Sequence, residues 1–276
     1  MKNGGFVALA YSMLGSVEDA EEVVQEARLR LHVRSQPPDD EAAFLYRVVS
    51  NLCVDRLRVA KRQRAAYVGP WLPEPWEDEQ LDTTELDQDL SMGFLFLLEC
   101  LSPPQRIAFV LREAFDFSFD EIGDLLAISP ATARQRVSRA RKRLATQTLS
   151  GRPRMARREV LEMLVTKVRT GDVEGLIAML DDEVVAYTDG GGVASAALVP
   201  IEGVQRLTAV LMHLSQAVFA DRATRISIEE CCASPAVVVR QGRDIHSVTF
   251  VELDVHDRGV RVFVVRNPDK LLSLAR

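Results

Sequence analysis

The chain has 276 residues and a formal net charge of −6 at pH 7, with 47% hydrophobic and 27% charged residues. This composition is typical of a soluble globular protein, and the length suits two or three compact domains. No apolar run approaches the roughly 18 residues of a membrane span, and the N-terminal stretch is more typical of an amphipathic helix than of a signal peptide.

The four cysteines do not have the spacing of a metal site. Cys53 and Cys100 fall in apolar helical patterns, where cysteine is a small core residue, and the neighbours Cys231 and Cys232 would face opposite sides of a strand. No Cys-x-x-Cys pair is present. We therefore expect a cytoplasmic protein that needs neither a metal nor another cofactor.

Residues 4–66 are predicted to be helical, and the first long helix carries a run of acidic residues. Its apolar positions recur at helical spacing, and Ser16 with Asp19 is typical of a capped start. Five carboxylates lie on its polar side: Glu18, Asp19, Glu21, Glu22 and Glu26. Because such a face repels DNA, we expect it to contact another protein.

A second long helix, from about Glu41 to Arg64, is predicted to have a face that can approach nucleic acid. The residues on that face are polar and mostly basic: Arg47, Asn51, Asp55, Arg58 and Arg62, with Lys61 and Arg64 near the end. The opposite side is apolar and is expected to pack into a core: Leu45, Val48, Leu52 and Val59. A solvated rim on a structural helix explains the same pattern, so the helix by itself leaves both interpretations open.

Residues 69–90 are predicted to form an acidic linker. The stretch holds three prolines and eight acidic residues, with no basic residue. Apart from Trp71 and Trp76 it offers little that a core could bury, so its composition favours a connection between two helical domains.

In residues 91–149 the sequence predicts a helix-turn-helix. A short helix, SFDEIGDLLAI, precedes a tight turn at Ile128–Ser129 and a second helix. The apolar positions of that second helix form one stripe: Ala133, Val137, Ala140 and Leu144. In a helix-turn-helix the second helix enters the major groove of DNA by its N-terminal half.

The charge of that second helix favours a nucleic-acid partner. Residues 129–144 carry six Lys or Arg and no acidic residue, and like charges on one helix repel one another unless a polyanion binds. Side chains expected at base edges are Thr132, Arg134, Gln135 and Ser138. Side chains better placed for phosphates are Arg139, Arg141 and Lys142. The alternative is a solvated basic face on a structural helix.

Residues 155–276 are predicted to form an α+β domain. Two helical stretches, about 156–169 and 172–180, precede segments of alternating apolar and polar residues such as AVVVRQ and HSVTFVELDV. A period of two residues is typical of antiparallel strands, and Asp257-Arg258-Gly259 is typical of a hairpin turn.

The two helical regions resemble the core domains of an extracytoplasmic-function sigma factor of RNA polymerase. Three blocks carry the resemblance, in the order of that family: AYSMLGSVEDAEEVVQEARLRL, FLYRVVSNLCVDRLRVAKRQRA and LSPPQRIAFVLREAFDFSFDEIGDLLAISPATARQRVSRARKRL. The resemblance implies a region 2 domain at 1–68, an acidic linker at 69–90 and a region 4 domain at 91–149.

The resemblance also implies a role for each polar surface. The acidic helix would dock on the β′ clamp helices of core RNA polymerase, and the helix that starts near Ser102 would touch the β flap. The residues implied at the −10 promoter element, which the second long helix would read and melt, are Arg47, Asn51, Asp55, Arg58, Lys61 and Arg62. The residues implied at the −35 element are Thr132, Arg134, Gln135, Ser138, Arg139 and Lys142.

The C-terminal third, about 155–276, resembles a SnoaL-like domain, which is a curved antiparallel sheet wrapped by helices around a cone-shaped pocket. The stretch RTGDVEGLIAMLDDEVVAYTDGGG carries this resemblance. Such a tail is known on a subset of these sigma factors that includes the mycobacterial sigma-J type. Two motifs of that subset are present: Asp189-Gly190-Gly191-Gly192 and Asn267-Pro268-Asp269-Lys270-Leu271. Val193 stands where many members have a lysine.

The two motifs suggest regulation, while a catalytic site is not expected. Three successive glycines allow a loop to approach another surface closely, although a simple strand-end turn explains them too. Asp189 is expected to make an ionic contact with a basic surface of the sigma core. The candidates for acid–base chemistry are few: His213, His246, His256 and Asp254. A small ligand in the pocket is a further expectation.

The expected fold class is therefore two all-α sigma domains, the second with a helix-turn-helix, followed by an α+β SnoaL-like cone domain. The expected function is promoter-specific transcription initiation with core RNA polymerase, tuned by a C-terminal domain that would stand in for a separate anti-sigma protein. A stand-alone ligand-responsive helix-turn-helix regulator would leave the acidic helix and the second DNA-facing helix unexplained. A polyketide-cyclase-like enzyme with a DNA-binding appendage would lack a convincing set of acid–base residues.

Overall fold

The structure is a computed structural model that describes residues 4–76, 91–146, 154–221 and 223–275. The chain divides into two compact units. Of the described residues, 4–66 and 94–146 belong to the first unit, and 67–76, 91–93 and 154–275 belong to the second. Most of the predicted acidic linker, residues 77–90, lies outside the described residues.

The first unit is helical throughout, apart from short connections, in its described residues. Its helices are α1 (Gly4–Leu14), α2 (Val17–His32), α3 (Glu41–Arg64), most of α4 (Met92–Leu98), α5 (Pro103–Glu113), α6 (Phe119–Leu126) and α7 (Pro130–Ala145). The predicted starts of four of them are confirmed, because a serine caps each one: Ser16, Ser102, Ser118 and Ser129. Local sequence chemistry therefore determines where these helices begin.

The buried side of α3 differs from the predicted one. Its buried residues are Tyr46, Val49, Ser50, Cys53 and Leu57, whereas Val59 is exposed and the other three predicted core positions are only half-buried. The helix packs against α1, α2, α5 and α6, so neighbours cover it on more than one side. The predicted apolar stripe was thus wrong by about one position, because burial here is decided by four partners and not by the apolar pattern alone.

The second unit is built on a mixed seven-stranded sheet. Its strands are β1 (Arg154–Met155), β2 (Leu180–Asp189), β3 (Ile201–Glu202), β4 (Thr224–Cys231), β5 (Ser234–Gln241), β6 (Asp244–Leu253) and β7 (Gly259–Val265). The order across the sheet is β3-β2-β7-β6-β5-β4, and β1 pairs with β6. Its helices are α8 (Arg158–Thr170), α9 (Val173–Met179), α10 (Val204–Ala220) and α11 (Pro268–Leu271), followed by a short 3-10 helix at Leu272–Ala275.

One expectation for this sheet is wrong, and one helix beside it was not predicted. The strands β2 and β7 pair in parallel, with Tyr187 opposite Phe263, so the sheet is not purely antiparallel. The residue pattern did not predict α10, which packs against β2. A parallel pair needs a long connection that crosses the sheet, and α10 is part of it. Residue alternation identifies a strand, but it carries no information about the direction of the partner strand.

One short loop differs from the sequence expectation, and another agrees with it. Cys232 and Ala233 have positive φ angles and form the two-residue turn between β4 and β5, so Cys232 does not lie in a strand. The predicted hairpin at Asp257-Arg258-Gly259 is present between β6 and β7, and Asp257 adopts a positive φ there.

The sheet of the second unit buries both of its faces. On one face α8, α9 and α10 pack over strand residues such as Val251 and Val262. The alternate residues of the same strands point the other way, where Tyr187 stacks on Phe263 at 5.9 Å and Glu252 pairs with Arg261 at 2.5 Å. Burial raises the pKa of Glu252, and the Arg261 charge offsets part of that rise.

The second unit also includes the described beginning of the predicted linker. Leu72 and Trp76 are fully buried, and the backbone N–H of Cys232 donates to the carbonyl of Trp76 at 2.9 Å. Residues 67–76 are therefore a packed part of the second unit, which their proline-rich, acidic composition did not suggest. In the part of the chain that the structure describes, every helix is too short or too polar to cross a membrane.

Candidate nucleic-acid and polymerase interface

The helix-turn-helix is formed by α6 and α7. Ala127, with φ of 51°, ends α6 in a left-handed conformation, and the N–H of Ile128 donates to the carbonyl of Gly123 at 2.9 Å. A Cβ on Gly123 would lie 2.8 Å from the Ile128 carbonyl oxygen, so the turn closes only because this residue is glycine. A glycine inside an amphipathic helix was the signal for this position, and the sequence analysis did not use it.

The basic side of α7 points away from the core. Ala133, Val137 and Ala140 are buried as predicted, and Leu144 is half-buried. The predicted −35 residues with exposed side chains are Arg134, Gln135, Ser138, Arg139 and Lys142. A continuous polar and basic surface therefore runs along α7.

Three side chains of α7 already have partners inside the first unit. Thr132 is half-buried, and its hydroxyl lies 2.9 Å from that of the cap Ser129. The guanidinium of Arg134 lies 5.0 Å above the ring of Phe119. Arg141, expected to contact phosphate, forms an ion pair with Glu113 at 2.6 Å.

The DNA-facing side predicted for α3 is exposed along most of its length. Its exposed residues are Arg47, Asn51, Asp55, Arg58 and Arg62. Asp55 pairs with Arg58 at 2.8 Å, so these two side chains together carry no net charge. Arg47 also donates to the carbonyl of Asp124 at 3.3 Å, so this end of the surface touches α6.

Lys61 lies apart from that exposed surface. Its ammonium group donates to the carbonyl of Glu99 at 2.9 Å and to the carbonyl of Leu101. Burial lowers the pKa of Lys61 below its usual value. In this arrangement the lysine joins the end of α3 to the loop between α4 and α5.

A mostly buried carboxylate, that of Glu99, stands beside this lysine contact and is 19% exposed. Arg64 pairs with it at 2.6 Å, and Arg106, whose side chain is fully buried, pairs with it from α5. Arg106 also donates to the carbonyl of Ser12 at 2.9 Å. Burial by itself would raise the pKa of Glu99, but the two guanidinium groups hold it below its usual value. The sequence signal was a single acidic residue inside the apolar run 94–101.

The acidic surface of α2 is only partly neutralised. Arg56 of α3 lies 2.9 Å from Glu22, 3.6 Å from Asp19 and 3.9 Å from Glu26. Glu18 and Glu21 are exposed, and neither makes an ion pair with another described residue. A surface with net negative charge therefore remains on α2.

In the second unit, Asp189 ends β2 as a fully buried carboxylate that accepts four hydrogen bonds. The donors are the Tyr67 hydroxyl at 2.5 Å, the Gly191 N–H at 3.1 Å, the Leu72 N–H at 2.8 Å and the Lys270 ammonium at 2.7 Å. Burial raises the pKa of Tyr67 above its usual value, and the hydrogen bond to Asp189 raises it further. Tyr67, Leu72, Asp189, Asn267 and Lys270 are called the Asp189 cluster below.

The two C-terminal motifs meet in this cluster. The N–H groups of Arg266 and Asn267 donate to the backbone carbonyl of Asp189 at 2.7 and 2.8 Å, and the Asn267 amide donates to the Tyr67 hydroxyl at 2.9 Å. The Lys270 ammonium also lies 4.0 Å above the ring of Trp71. The expectation that Asp189 pairs with a basic surface of the sigma core is wrong, since its ion-pair partner is Lys270 of the second motif.

The glycines after Asp189 are required by close approach. A Cβ on Gly190 would lie 2.2 Å from the Ala194 carbonyl oxygen, and one on Gly191 would lie 2.4 Å from the Asn267 amide nitrogen. Gly191 and Gly192 also have φ angles of 63° and 75°, which side chains disfavour. The loop therefore packs closely against Asn267 and is more than a strand-end turn. The side chain of Val193, which follows the glycines, is 74% exposed.

The second unit also contains a cavity of about 180 Å³ between α8, α9, α10 and the sheet. None of the candidate acid–base residues lines it. His246 lies instead 2.6 Å from the guanidinium of Arg266, and burial and that charge lower its pKa. The described residues around the cavity therefore offer no general acid or base.

Comparison with known protein families finds two matches. The family Sigma-70 region 2 matches residues 4–63, and the family Sigma-70, region 4 matches residues 92–144. The first match contains α1, α2 and all but the last residue of α3, and the second contains all but the last residue of the helix-turn-helix.

Curated proteins and solved structures agree with these matches. ECF RNA polymerase sigma factor SigJ of Mycobacterium tuberculosis is 36% identical over 218 residues, which cover 76% of this chain and 70% of that protein. Probable ECF RNA polymerase sigma factor SigI of the same species is 27% identical over 96% of this chain and 90% of that protein. The crystal structure of M. tuberculosis SigJ superposes with a TM-score of 0.78 at 28% identity, covering 98% of this chain and 95% of that one.

Proposed function

This chain belongs to the extracytoplasmic-function RNA polymerase sigma factors, which bind core RNA polymerase and promoter DNA and direct promoter-specific initiation, and we propose which of its surfaces make those contacts. Its fold, two helical sigma domains followed by a SnoaL-like α+β domain, is the one expected from the sequence. Because core polymerase acts in the cytoplasm, we place the protein there.

We assign the −35 element to the exposed face of α7. The single observation that supports this most is the division of α7 into a buried alanine–valine stripe and an exposed basic surface that follows a helix-turn-helix turn. Gln135 and Ser138 lie in its N-terminal half, where such helices contact base edges, and Arg139 and Lys142 follow at phosphate positions. Arg134 contributes from its place over Phe119.

We assign the −10 element to the exposed face of α3. Arg47, Asn51, Asp55, Arg58 and Arg62 are accessible in the first unit as it stands. Lys61 is not, because its ammonium is bonded to the carbonyls of Glu99 and Leu101. A contribution of Lys61 to promoter binding therefore requires that the end of α3 separate from the loop before α5.

We assign the β′ clamp helices of core polymerase to the acidic surface of α2, and the β flap to the start of α5 at Ser102. Exposed carboxylates on α2 support the first contact, since a protein surface rich in basic residues would be attracted to them and DNA repelled. Glu18 and Glu21 are the strongest candidates because neither pairs with a described residue.

We propose that the C-terminal domain modulates transcription through residues 67–76. Asp189, Asn267 and Lys270 bind this segment through the Tyr67 hydroxyl and the backbone N–H and carbonyl of Leu72, and the segment precedes region 4 in the sequence. A C-terminal domain that binds residues 67–76 can influence the distance between the two promoter-reading domains. This supports a regulatory role for the domain in place of a separate anti-sigma protein. A small ligand in the cavity of the same domain is the proposed signal.

The test of the −35 assignment is run-off transcription with purified core polymerase, on a promoter chosen by start-site mapping. Gln135→Ala removes an exposed side chain that the fold does not use, so we expect transcript to fall by about fivefold to a hundredfold while core binding is unchanged. Gln216→Ala, an exposed glutamine on α10, is the matched control. Equal output from both variants would remove Gln135 from the base-reading surface.

The same reactions separate the alternatives. A stand-alone regulator would bind duplex DNA tightly without polymerase and would yield no transcript. Failure of the wild-type chain to associate with core polymerase would contradict the assignment of α2.

A further inference from the structure

The cavity of the C-terminal domain has an unusually uniform lining. Seventeen residues of the described part of the chain line it, and all of these are uncharged. Fifteen are aliphatic or aromatic, and two carry hydroxyls, Ser215 on α10 and Thr249 on β6. The Ser215 hydroxyl donates to the Met212 carbonyl at 2.7 Å, so part of its hydrogen-bonding capacity is already used within the helix.

This lining sets the charge of any ligand. A carboxylate, phosphate or ammonium group transferred into these surroundings would lose its hydration without gaining a counter-charge, at a cost of several kcal/mol. One hydroxyl or carbonyl of a ligand could be satisfied at Thr249 or Ser215. The site therefore selects neutral molecules with at most one or two polar atoms.

The volume and the rim of the cavity indicate how large a ligand it can hold. An apolar cavity of about 150 Å³ in another protein stays free of water and binds benzene, so about 180 Å³ accommodates a compact ring system. At the rim, Leu214 and Phe219 of α10 are 46% and 36% exposed, although both are large apolar side chains. A ligand that extends to this rim would cover them, which adds a favourable contribution to binding.

We propose that this cavity binds an uncharged, hydrocarbon-rich small molecule of one or two fused rings, or of three where the third extends to the rim, bearing at most one hydroxyl or carbonyl. Only the consequence of binding rests on the proposed function. Thr249, Val251 and Val262 line the cavity from strands β6 and β7, and β7 leads directly into Arg266 and Asn267 of the Asp189 cluster. Occupancy can thus alter how residues 67–76 are held, provided that the ligand binds the two states of the cluster unequally.

The test uses 1-aminoanthracene, a neutral probe that fluoresces in apolar surroundings, titrated into the purified full-length chain. We expect saturable fluorescence, with anthracene-9-carboxylate binding at least about tenfold more weakly because its charge cannot be paired. Val218→Trp places an indole in the cavity and should weaken the affinity for the probe by at least about tenfold. Gln216→Trp, an equal change at an exposed position of α10 outside the lining, should leave binding unchanged.

A second variant guards against misfolding of the first. Leu214→Glu puts a carboxylate at the exposed rim, where the fold tolerates it. This variant should also weaken the binding of 1-aminoanthracene. No saturable signal, equal affinity for the two probes, or equal effects of Val218→Trp and Gln216→Trp would overturn the proposal. The titrations contain no polymerase, so they test ligand binding alone. If the probe binds but leaves run-off transcription unchanged, the result contradicts only the regulatory role of the C-terminal domain.

Discussion

Replacing Glu99 with glutamine should destabilise the first unit and leave the second unaffected. The substitution keeps the shape of the side chain and removes the charge that compensates Arg64 and Arg106. Arg106 is fully buried, so its guanidinium has no access to water that could replace the lost carboxylate. The variant therefore leaves a buried cation without its counter-charge, which is among the costliest single changes in a protein.

The expected loss in the free energy of unfolding is about 3 kcal/mol, the lower end of the range for removing one partner of a buried ion pair, because glutamine can still accept a hydrogen bond. With a urea m-value of about 2 kcal/mol per molar, the unfolding midpoint should fall by about 1.5 M. Glu113→Gln is the matched control. Its carboxylate pairs with Arg141 at the surface, where an ion pair contributes less than about 1 kcal/mol.

The chain offers separate signals for its two units. Both tryptophans, Trp71 and Trp76, belong to the second unit, so their fluorescence follows its unfolding. Far-UV circular dichroism is dominated by the long helices of the first unit. We expect Glu99→Gln to shift the circular dichroism transition while the tryptophan transition stays in place. Equal midpoints for Glu99→Gln and Glu113→Gln would refute the importance of the buried pair.

The effect of Glu99 should also depend on pH in a defined direction. Its folded-state pKa lies below the unfolded value of about 4.3, so the carboxylate stabilises the folded state above that pH. The contribution is lost as the pH falls toward the folded-state pKa. The difference between the wild type and Glu99→Gln should therefore shrink in acid, and a difference that grows would contradict this reasoning.

Two further predictions concern the Asp189 cluster. Asp189→Asn removes the charge that binds Lys270, so we expect residues 67–76 to loosen, tryptophan emission to move to longer wavelength and quenching by acrylamide to increase. Asp269→Asn, at the exposed residue next to Lys270, should change neither the emission nor the quenching. Identical spectra for both variants would contradict the role assigned to Asp189. Because the pKa of Tyr67 is raised in the folded state, its stabilising contribution is complete below its usual pKa of about 10 and is lost as the pH rises beyond it. Tyr67→Phe should therefore reduce the fall in urea midpoint, followed by tryptophan fluorescence, between neutral and strongly alkaline pH, and an unchanged fall would refute this.

Local sequence signals were sufficient for the helix starts of the sigma domains and for the buried stripe of α7. Serine caps mark the starts of α2, α5, α6 and α7, because the energy of a cap depends on residues three positions apart. The buried stripe of α7 followed from helical spacing since the helix packs on one side only. The family itself was inferred from the resemblance of three sequence blocks to the core domains of sigma factors, because a basic helix by itself indicates only a nucleic-acid partner.

Tertiary packing decided the features that depend on residues distant in the chain. The partner of Asp189 is Lys270, 81 positions away, and nothing in the neighbourhood of either residue identifies the other. Lys61 shares its helix and charge with Arg58 and Arg62, yet it alone of the three donates to the carbonyls of Glu99 and Leu101. The pattern of a helix shows which residues share a face, but only its neighbours determine whether that face meets water or another helix.

The same distinction holds for the sheet. Alternation identified the strands of the C-terminal domain, because side chains on a strand alternate between its two faces. The parallel pairing of β2 with β7, the burial of Trp76 and the apolar cavity beneath α10 depend on how remote segments meet. The sequence by itself determined most of the elements and the charge of their surfaces. The tertiary structure decided which of those charges remain available to DNA, because burial and pairing are properties of contacts between distant residues.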